Sequence, residues 1–268
     1  MSTDHYTDSV GEISSLFRSR LQMQILQSLA EGNKTLGQLR VITGSSSQAL
    51  IPKIRILEGH NFITFPNQKY QITLVGRLLI NKLQDIALFN AVTKKHKNFW
   101  NQHYAEAIPD EFFITIGDLY NSEIIADTNV EIFYVYFNFL NMIQEAKELF
   151  ILSPISSPAH TDAVMKRISE GIYVETIIGK DLLSQISTSP DFNKIHELGT
   201  QTSSKIFVLD DPPKLGLTVS DKNLSLGLFN HDGIYDITTD LFSNDLKAVK
   251  WGRKLYQYYR DGAEEVNL

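Results

Sequence analysis

The sequence predicts an α/β protein in two parts, an N-terminal winged helix-turn-helix and a C-terminal α/β domain, joined by a helical connector. Three observations indicate this fold class. Apolar residues recur at helical spacing through most of the first 60 residues, and two short β-prone runs then flank a polar tip. After residue 145, β-prone runs alternate with helical segments, which is typical of layered α/β folds.

Length and composition limit the number of domains and the kinds of site that the chain can have. The chain has 268 residues, of which 43% are hydrophobic and 21% charged, so it can fill a core in one large domain or two ordinary ones. It has no cysteine, which excludes disulfides, thiolate metal sites and cysteine catalysis. The first twelve residues do not resemble a secretion signal, and no apolar run reaches the roughly 18 residues of a membrane helix. We therefore expect a cytoplasmic protein without a membrane partner.

The net charge of −6 hides an asymmetry along the chain. Through residue 105 there are 12 Lys and Arg against 6 Asp and Glu, a formal charge of +6, whereas the remainder has 13 against 25, a charge of −12. A basic N-terminal part and an acidic remainder favour two functions, one of which is the binding of an anion.

The first two helices follow from apolar spacing and from end signals. One helix is expected over residues 13–30, ended by Gly32 and Asn33. Thr35 then caps a short second helix, which Gly44 ends in a tight turn.

Three consecutive serines indicate where the third helix begins. Serine is a favoured N-cap because its hydroxyl accepts a hydrogen bond from a free N–H of the first turn. We expect the helix to begin at Ser46 or Ser47, to run to Glu58 and to stop at Gly59. Pro52 lies near its start, where it forfeits only one early backbone hydrogen bond.

A hairpin and a long helix complete the first part. Residues 62–65 and 70–73 are β-prone and flank a polar tip at 66–69, and Thr73 caps the long helix that follows. Three short helices and a hairpin make a winged helix-turn-helix.

The remainder is predicted as a helical stretch followed by alternating strands and helices. Strands are expected at residues 148–152, 172–178, 205–209, 215–219 and 224–229. Helices are expected at residues 159–170, 181–186, 191–198 and 244–260. We predict a winged helix over residues 1–80, a helical connector and dimerisation region over 81–145, and an effector-sensing α/β domain over 146–268.

The third helix has the composition of a helix that reads DNA. The major groove admits one α-helix, whose N-terminal side chains reach base edges while cations meet phosphates. The predicted DNA-binding residues are Ser45, Ser46, Ser47, Gln48, Lys53 and Arg55 of this helix and Asn67, Gln68 and Lys69 of the hairpin tip. Two alternatives stay open: the serines only cap a helix and the charges only solvate its face, or the winged helix binds only protein.

Three segments carry a resemblance to a known family: SSSQALIPKIRILEGHNFI at residues 45–63, IPDEFFITIGDLYNSEII at residues 108–125, and the stretch from LGLTVSDKNL to KLYQYYR at residues 215–260. In these segments the chain resembles archaeal transcription regulators of the methanogenesis-regulatory, filament-regulator type. The resemblance implies an arsenic-repressor-like winged helix joined to an effector domain. It implies a DNA-binding repressor or activator that is a homodimer and responds to a small-molecule or protein effector.

The C-terminal part also resembles a half phospholipase-D-like domain. That enzyme family needs a His-x-Lys-x4-Asp motif, but Ser220 stands here at the histidine position before Lys222, and no aspartate follows at the required spacing. Serine cannot replace a histidine nucleophile without an added base. We expect a non-catalytic binding domain, with a phosphodiesterase-type enzyme as the rival hypothesis.

Ligand-binding candidates in this domain are few. Asp221 and Lys222 end a predicted strand, where effector pockets often open, and His231 lies in the turn Asn230-His-Asp-Gly233. A surface ion pair and a plain hairpin turn are the competing interpretations. The sequence indicates no catalytic residues, no metal site and no cofactor.

Overall fold

The computed structural model describes residues 3–155, 157–188 and 204–266, without the side chains of residues 3–6, 8, 9 and 12. The chain divides into two compact units, Met1–Ile86 and Ala87–Leu268, each with its own hydrophobic core. The helix predicted at residues 191–198 lies outside the described residues. We describe the two units separately.

The N-terminal unit contains a winged helix-turn-helix. Its elements are α1 (Thr3–Arg18), α2 (Arg20–Ala30), α3 (Leu36–Thr43), α4 (Ser47–Gly59), β1 (Ile63–Thr64), β2 (Gln71–Ile72) and the first half of α5 (Leu74–Lys95). The two strands pair antiparallel, with Ile63 opposite Ile72. The three-helix and hairpin arrangement predicted from the sequence is confirmed.

The prediction of one helix over residues 13–30 is wrong, because α1 and α2 are separate helices that meet at Ser19. The backbone of Ser19 is not helical, and its hydroxyl accepts a hydrogen bond from the Gln22 N–H at 3.4 Å. Serine offers the backbone such a local partner and so favours a cap over a helix interior. The apolar spacing continues across the break, which is why spacing alone does not reveal it.

The turn between α3 and α4 is held by end signals at both helices. At the start of α3, Thr35 and Gln38 form a reciprocal capping box. Gly44 ends α3 with φ +65°, a conformation that most L side chains avoid. Ser46 caps α4 by accepting from the Ala49 N–H at 3.3 Å. The caps at Thr35 and Ser46 confirm those predicted from the sequence.

The hairpin is fastened to the start of α5. Thr73 caps α5 by accepting from the Gly76 N–H at 3.0 Å, and its hydroxyl proton faces the carbonyl oxygens of Asn61, 2.7 Å away, and Phe62, 3.1 Å away. The backbone approaches so closely here that a Cβ atom on Gly76 would overlap the Phe62 carbonyl oxygen. A glycine at position 76 is therefore a steric requirement of this contact.

The C-terminal unit is an α/β structure around one mixed sheet. Its helices, after the end of α5, are α6 (Lys97–Gln102), α7 (Asp110–Ile114), α8 (Tyr134–Glu145), α9 (Pro158–Ser169), α10 (Lys180–Ser187) and α11 (Leu246–Asp261). Its strands are β3 (Glu123–Ala126), β4 (Glu148–Leu152), β5 (Tyr173–Gly179), β6 (Lys205–Leu209), β7 (Leu215–Ser220), β8 (Leu224–Leu228), β9 (Thr239–Ser243) and β10 (Glu264–Val266).

The sheet has the strand order β10-β6-β5-β4-β7-β8-β9-β3. Strands β4, β5 and β6 are parallel, and the other pairs are antiparallel. The five predicted strands are present, whereas β3, β9 and β10 were not predicted. Residues 81–145, predicted as helical, therefore include a strand, β3, which forms one edge of the sheet by pairing with β9.

One face of the sheet packs against α11. Trp251 and Tyr256 of this helix are each only 2% exposed, and the Trp251 indole N–H donates to the Phe112 carbonyl at 3.1 Å. A Cβ atom on Gly252 would overlap Leu224 of β8, so helix and sheet are in direct contact. Along the part of the chain that the structure describes, no helix combines the length and apolar character needed to cross a membrane.

The contact between the hairpin and α5 predicts a steric effect. We expect Gly76→Ala to lower the free energy of unfolding of the N-terminal unit by about 1–3 kcal/mol, because the new methyl group meets a backbone oxygen that cannot rotate away. Urea unfolding followed by circular dichroism measures this. Gly59→Ala is the matched control: its Cβ would lie in open space, so stability should hold or rise by up to about 1 kcal/mol. Equal stability of Gly76→Ala and the native chain would contradict the analysis.

Candidate nucleic-acid interface

The start of α4 carries the three serines in different local roles. The Ser45 hydroxyl lies 3.4 Å from the Thr43 carbonyl, to which it donates. Ser46 uses its oxygen as the helix cap, which leaves its hydroxyl proton available. Ser47 is the first helical residue and is half-buried. The capping interpretation thus accounts for Ser46 and does not account for Ser47.

The outer face of α4 is set by its buried face. Leu50, Ile54 and Leu57 are at most 2% exposed and form one stripe in the core. Gln48 and Arg55 lie on the opposite side of the helix and are exposed. The helix therefore presents an amide and a guanidinium group outward from a face that the core fixes in place.

Lys53 lies on the flank of α4 and is half-buried. It lines an open recess of about 470 Å³ together with Arg18, Ser19 and Arg20, at the junction of α1 and α2. The N-terminus of α2 begins in this recess, and a helix N-terminus attracts anions. Sequence reasoning missed Arg18 and Arg20, although the Arg-Ser-Arg pattern at a helix break was the available signal.

The hairpin tip projects three polar side chains. Asn67, Gln68 and Lys69 are exposed, and the Lys69 N–H donates to the Pro66 carbonyl at 3.1 Å to close the turn. Asn67 and Gln68 have φ values of +51° and +60°. Asparagine tolerates this left-handed conformation, but glutamine adopts it rarely. The tip therefore holds Gln68 in an unfavourable backbone conformation.

Exposed apolar side chains accompany the polar residues. Val41 and Ile42 at the end of α3 are 84% and 51% exposed, and Ile51 and Ile56 of α4 are also exposed. Apolar side chains at a reading face can contact thymine methyl groups.

The predicted ligand residues of the C-terminal unit lie at two separate places. Asp221 accepts a hydrogen bond from the Lys147 N–H at 2.9 Å, in the turn that Asp221 and Lys222 share between β7 and β8. His231 lies beyond the other end of β8, where its Nε2 is 3.0 Å from the Asn101 carbonyl oxygen. The structure does not bring these three side chains together into one site.

A cavity of about 700 Å³ lies elsewhere in the C-terminal unit. It is lined by α8, α9 and α10 and by strands of the central sheet, and Asp240 of β9 is among its lining residues. Asp221, Lys222 and His231 are not. The volume falls in the range of small-molecule sites in proteins.

Comparison with protein families identifies the chain. Residues 10–89 match the N-terminal domain, and residues 132–262 the middle domain, of the methanogenesis regulatory protein FilR1. The chain belongs to the FilR1 family. The curated FilR1 of Methanothrix harundinacea (strain 6Ac) is 23% identical over 265 residues, which are 97% of this chain and 59% of that protein. This member of the FilR1 family thus spans less than two thirds of its relative's length.

Two solved structures show more distant likeness to this FilR1 family member. TrmBL2, an archaeal chromatin protein with a novel mode of DNA binding, is 17% identical and covers 98% of this chain and 100% of its own, with a TM-score of 0.43. NucT from Helicobacter pylori is 15% identical and covers 54% of this chain and 98% of its own, with a TM-score of 0.42. Both TM-scores are too low to carry a functional argument.

The strained tip predicts that glycine is tolerated better than the native residue. We expect Gln68→Gly to raise the free energy of unfolding by up to about 1 kcal/mol, because glycine adopts positive φ without a Cβ penalty. Asn67→Gly, the neighbouring control, should change stability less, since asparagine already tolerates this conformation. Urea unfolding of the two variants decides the matter, and a larger gain for Asn67→Gly would contradict the account.

Proposed function

We propose that this protein is a DNA-binding transcription regulator whose N-terminal unit reads duplex DNA through α4. The observation that carries the proposal is the exposure of Gln48 and Arg55 on the face of α4 that the core leaves outside. Membership of a family of regulatory proteins supports the same function.

The proposed docking places the exposed side of α4 in the major groove. Gln48 can make a bidentate pair with adenine, and the exposed Ile51 can meet a thymine methyl group. Arg55 and Lys53 supply cations to phosphates, and the recess formed with Arg18 and Arg20 receives another phosphate at the start of α2. Ser46 and Ser47, at the start of α4, act beside them as short donors.

The hairpin tip makes a second contact in this proposal. Asn67, Gln68 and Lys69 are exposed at the end of the wing, where they can reach a neighbouring groove or backbone. The strained φ at Gln68 supports a role, because such conformations persist where function needs them.

We call α4 and the hairpin tip at residues 66–69 the reading head. We further propose that two copies of the chain act together, since one reading head covers only a half-site. Residues 81–145 are the proposed pairing region. In support, this region carries a run of exposed apolar side chains, with Val130 92% exposed and Ile132 63% exposed. Such apolar exposure is typical of association surfaces. The stoichiometry of chain to bound duplex, measured in the binding experiment below, tests this arrangement.

The C-terminal unit is proposed to sense an effector and to change DNA occupancy. A coupling free energy of roughly 1–3 kcal/mol between the two sites would be enough to switch binding. Because a regulator works where the chromosome lies, we place the protein in the cytoplasm.

We propose that the C-terminal unit acts by binding and not by catalysis. Ser220, which stands where a phosphodiesterase would need its histidine, is fully buried. Its hydroxyl oxygen accepts from the N–H groups of Lys222, at 3.1 Å, and Asn223, at 2.9 Å. A side chain committed to closing the β7–β8 turn is not poised as a nucleophile.

The binding assignment predicts no phosphodiester hydrolysis. A chromogenic phosphodiester such as bis(nitrophenyl) phosphate should be cleaved no faster by the native chain than by Ser220→Ala, with release of nitrophenol as the measurement. Turnover by the native chain that Ser220→Ala abolishes would favour the enzyme hypothesis.

The reading head predicts a change in salt dependence. The duplex for this measurement is first selected from random sequences by its binding to the native chain. The double variant, Lys53→Ala with Arg55→Ala, should then bind all duplexes more weakly. The slope of log affinity against log salt should fall by about 2, because each lost phosphate contact removes about 0.9. Fluorescence anisotropy across a salt series measures both quantities.

The matched control removes two cations from the C-terminal unit, Lys222→Ala with Lys247→Ala, and should leave affinity and slope unchanged. Gln48→Ala should instead relax the preference at one base pair, worth about 1–3 kcal/mol, with little change in slope. An unchanged slope in the Lys53 and Arg55 variant would place the DNA interface elsewhere.

A further inference from the structure

The cavity of the C-terminal unit is too large and too apolar to be a packing defect. Its 700 Å³ are bounded mainly by aliphatic and aromatic side chains, such as Phe139, Ile151, Val164 and Ile178. Protein interiors normally pack to crystal density with few voids larger than a water molecule. Apolar cavities far smaller than this one stay dry and take up small apolar molecules. A space of this volume and lining suits a small molecule with an apolar body.

The floor of the cavity has a patch of sheet without side chains. Gly216 of β7 and Gly227 of β8 face each other in register. A Cβ atom on either glycine would overlap the hydroxyl oxygen of Tyr235, which therefore rests against the bare backbone. This pair of glycines lets a polar group reach the sheet surface inside an apolar cavity.

Asp240 stands next to this patch. One of its carboxylate oxygens would be 2.7 Å from a Cβ on Gly227, and the other accepts a hydrogen bond from the Ser225 hydroxyl at 2.6 Å. Ser225, Tyr235 and Asp240 all line the cavity. The apolar space thus ends at a carboxylate.

The Asp240 carboxylate has no cationic side chain paired with it among the described residues. His103 lies close enough to lower the pKa of Asp240, but its Nε2 is hydrogen-bonded to Asp236, at 3.0 Å. Lys205, which also lines the cavity, is paired with Glu265 at 3.1 Å. Burial raises the pKa of Asp240 to about 6, with a further rise from Asp236 and an opposing hydrogen bond from Ser225. At neutral pH the buried Asp240 carboxylate has the Ser225 hydroxyl as its hydrogen-bond donor and His103 as a more distant favourable charge. A buried carboxylate without a directly paired cation is unfavourable until a cation binds.

The wall of the cavity formed by α8 and α9 includes aromatic side chains, and no Lys or Arg of these two helices lines it. His160 packs between Tyr136 and Phe139, with ring centroids 4.9 and 4.6 Å away. Burial lowers the pKa of His160, which favours the neutral form of the ring. This wall does not repel a cation.

We propose that this cavity binds an organic amine, a small molecule with an apolar body and an ammonium group that pairs with Asp240. The amine end rests at Ser225, Tyr235 and Asp240, and the body fills the space between the sheet and α8 and α9. This inference deepens the proposed effector role of the C-terminal unit and rests on it only for the link to DNA.

Three probes with one apolar body test the ligand class: phenylbutylamine, phenylbutanol and phenylbutanoate, titrated calorimetrically into the full chain without DNA. The amine should bind at least about tenfold more tightly than the alcohol, a difference of 1.4 kcal/mol. The carboxylate should bind most weakly. Asp240→Asn keeps the side-chain shape and should reduce the ratio of amine to alcohol affinity to about one. The matched control, Asp232→Asn on an exposed turn, should leave the ratio unchanged.

A second variant tests the location independently of Asp240. Met165→Trp adds bulk at the cavity wall and should weaken all three probes together. The proposal is overturned if the native chain binds the three probes with equal affinity or binds none of them. It is also overturned if Asp240→Asn keeps the preference for the amine.

Measuring DNA affinity with and without the amine separates this inference from the proposed function. Amine binding with the expected preference but no change in DNA affinity would sustain the cavity assignment and defeat the effector role. Salt-dependent DNA binding that responds to the Lys53 and Arg55 variant, with no amine bound, would sustain the reading head and defeat the cavity assignment.

Discussion

The burial of Leu50, Ile54 and Leu57 is the constraint on which the reading head depends. Fully burying each such side chain stabilises the fold by about 1.5–3 kcal/mol, so turning α4 about its axis would be opposed by several kcal/mol. The orientation of Gln48 and Arg55 is therefore decided by residues that are buried in the core. The polar residues contribute little to the fold and are free to serve recognition.

Backbone geometry at either end of α4 adds to this constraint. Gly44 supplies the left-handed turn before the helix, and the contact between Phe62 and Gly76 fixes the hairpin after it. The one strained tip residue, Gln68, lies at the far end of the hairpin. Within the N-terminal unit this strain lies where the proposed DNA contact would be made, as is common at functional sites.

The C-terminal sheet is built asymmetrically. Its face toward α11 is packed so closely that Gly252 has no room for a methyl group. Its other face leaves a cavity of about 700 Å³ and places Asp240 at the floor. A core built only for stability would fill this space and would not retain a carboxylate there, because both choices cost free energy. Under the proposed assignment, the face toward α11 serves stability and the opposite face serves binding.

The sequence by itself determined the winged helix, the caps at Thr35, Ser46 and Thr73, and the five strands β4 to β8, because each depends on local periodicity and end signals. It left three strands unseen, since the pairing of β3, β9 and β10 depends on contacts distant in the chain. Only the tertiary structure decided the break at Ser19, the gathering of Arg18 and Arg20 around Lys53, and the cavity with Asp240. Those features arise where separate segments meet, and no spacing along a single segment records which segments will be neighbours.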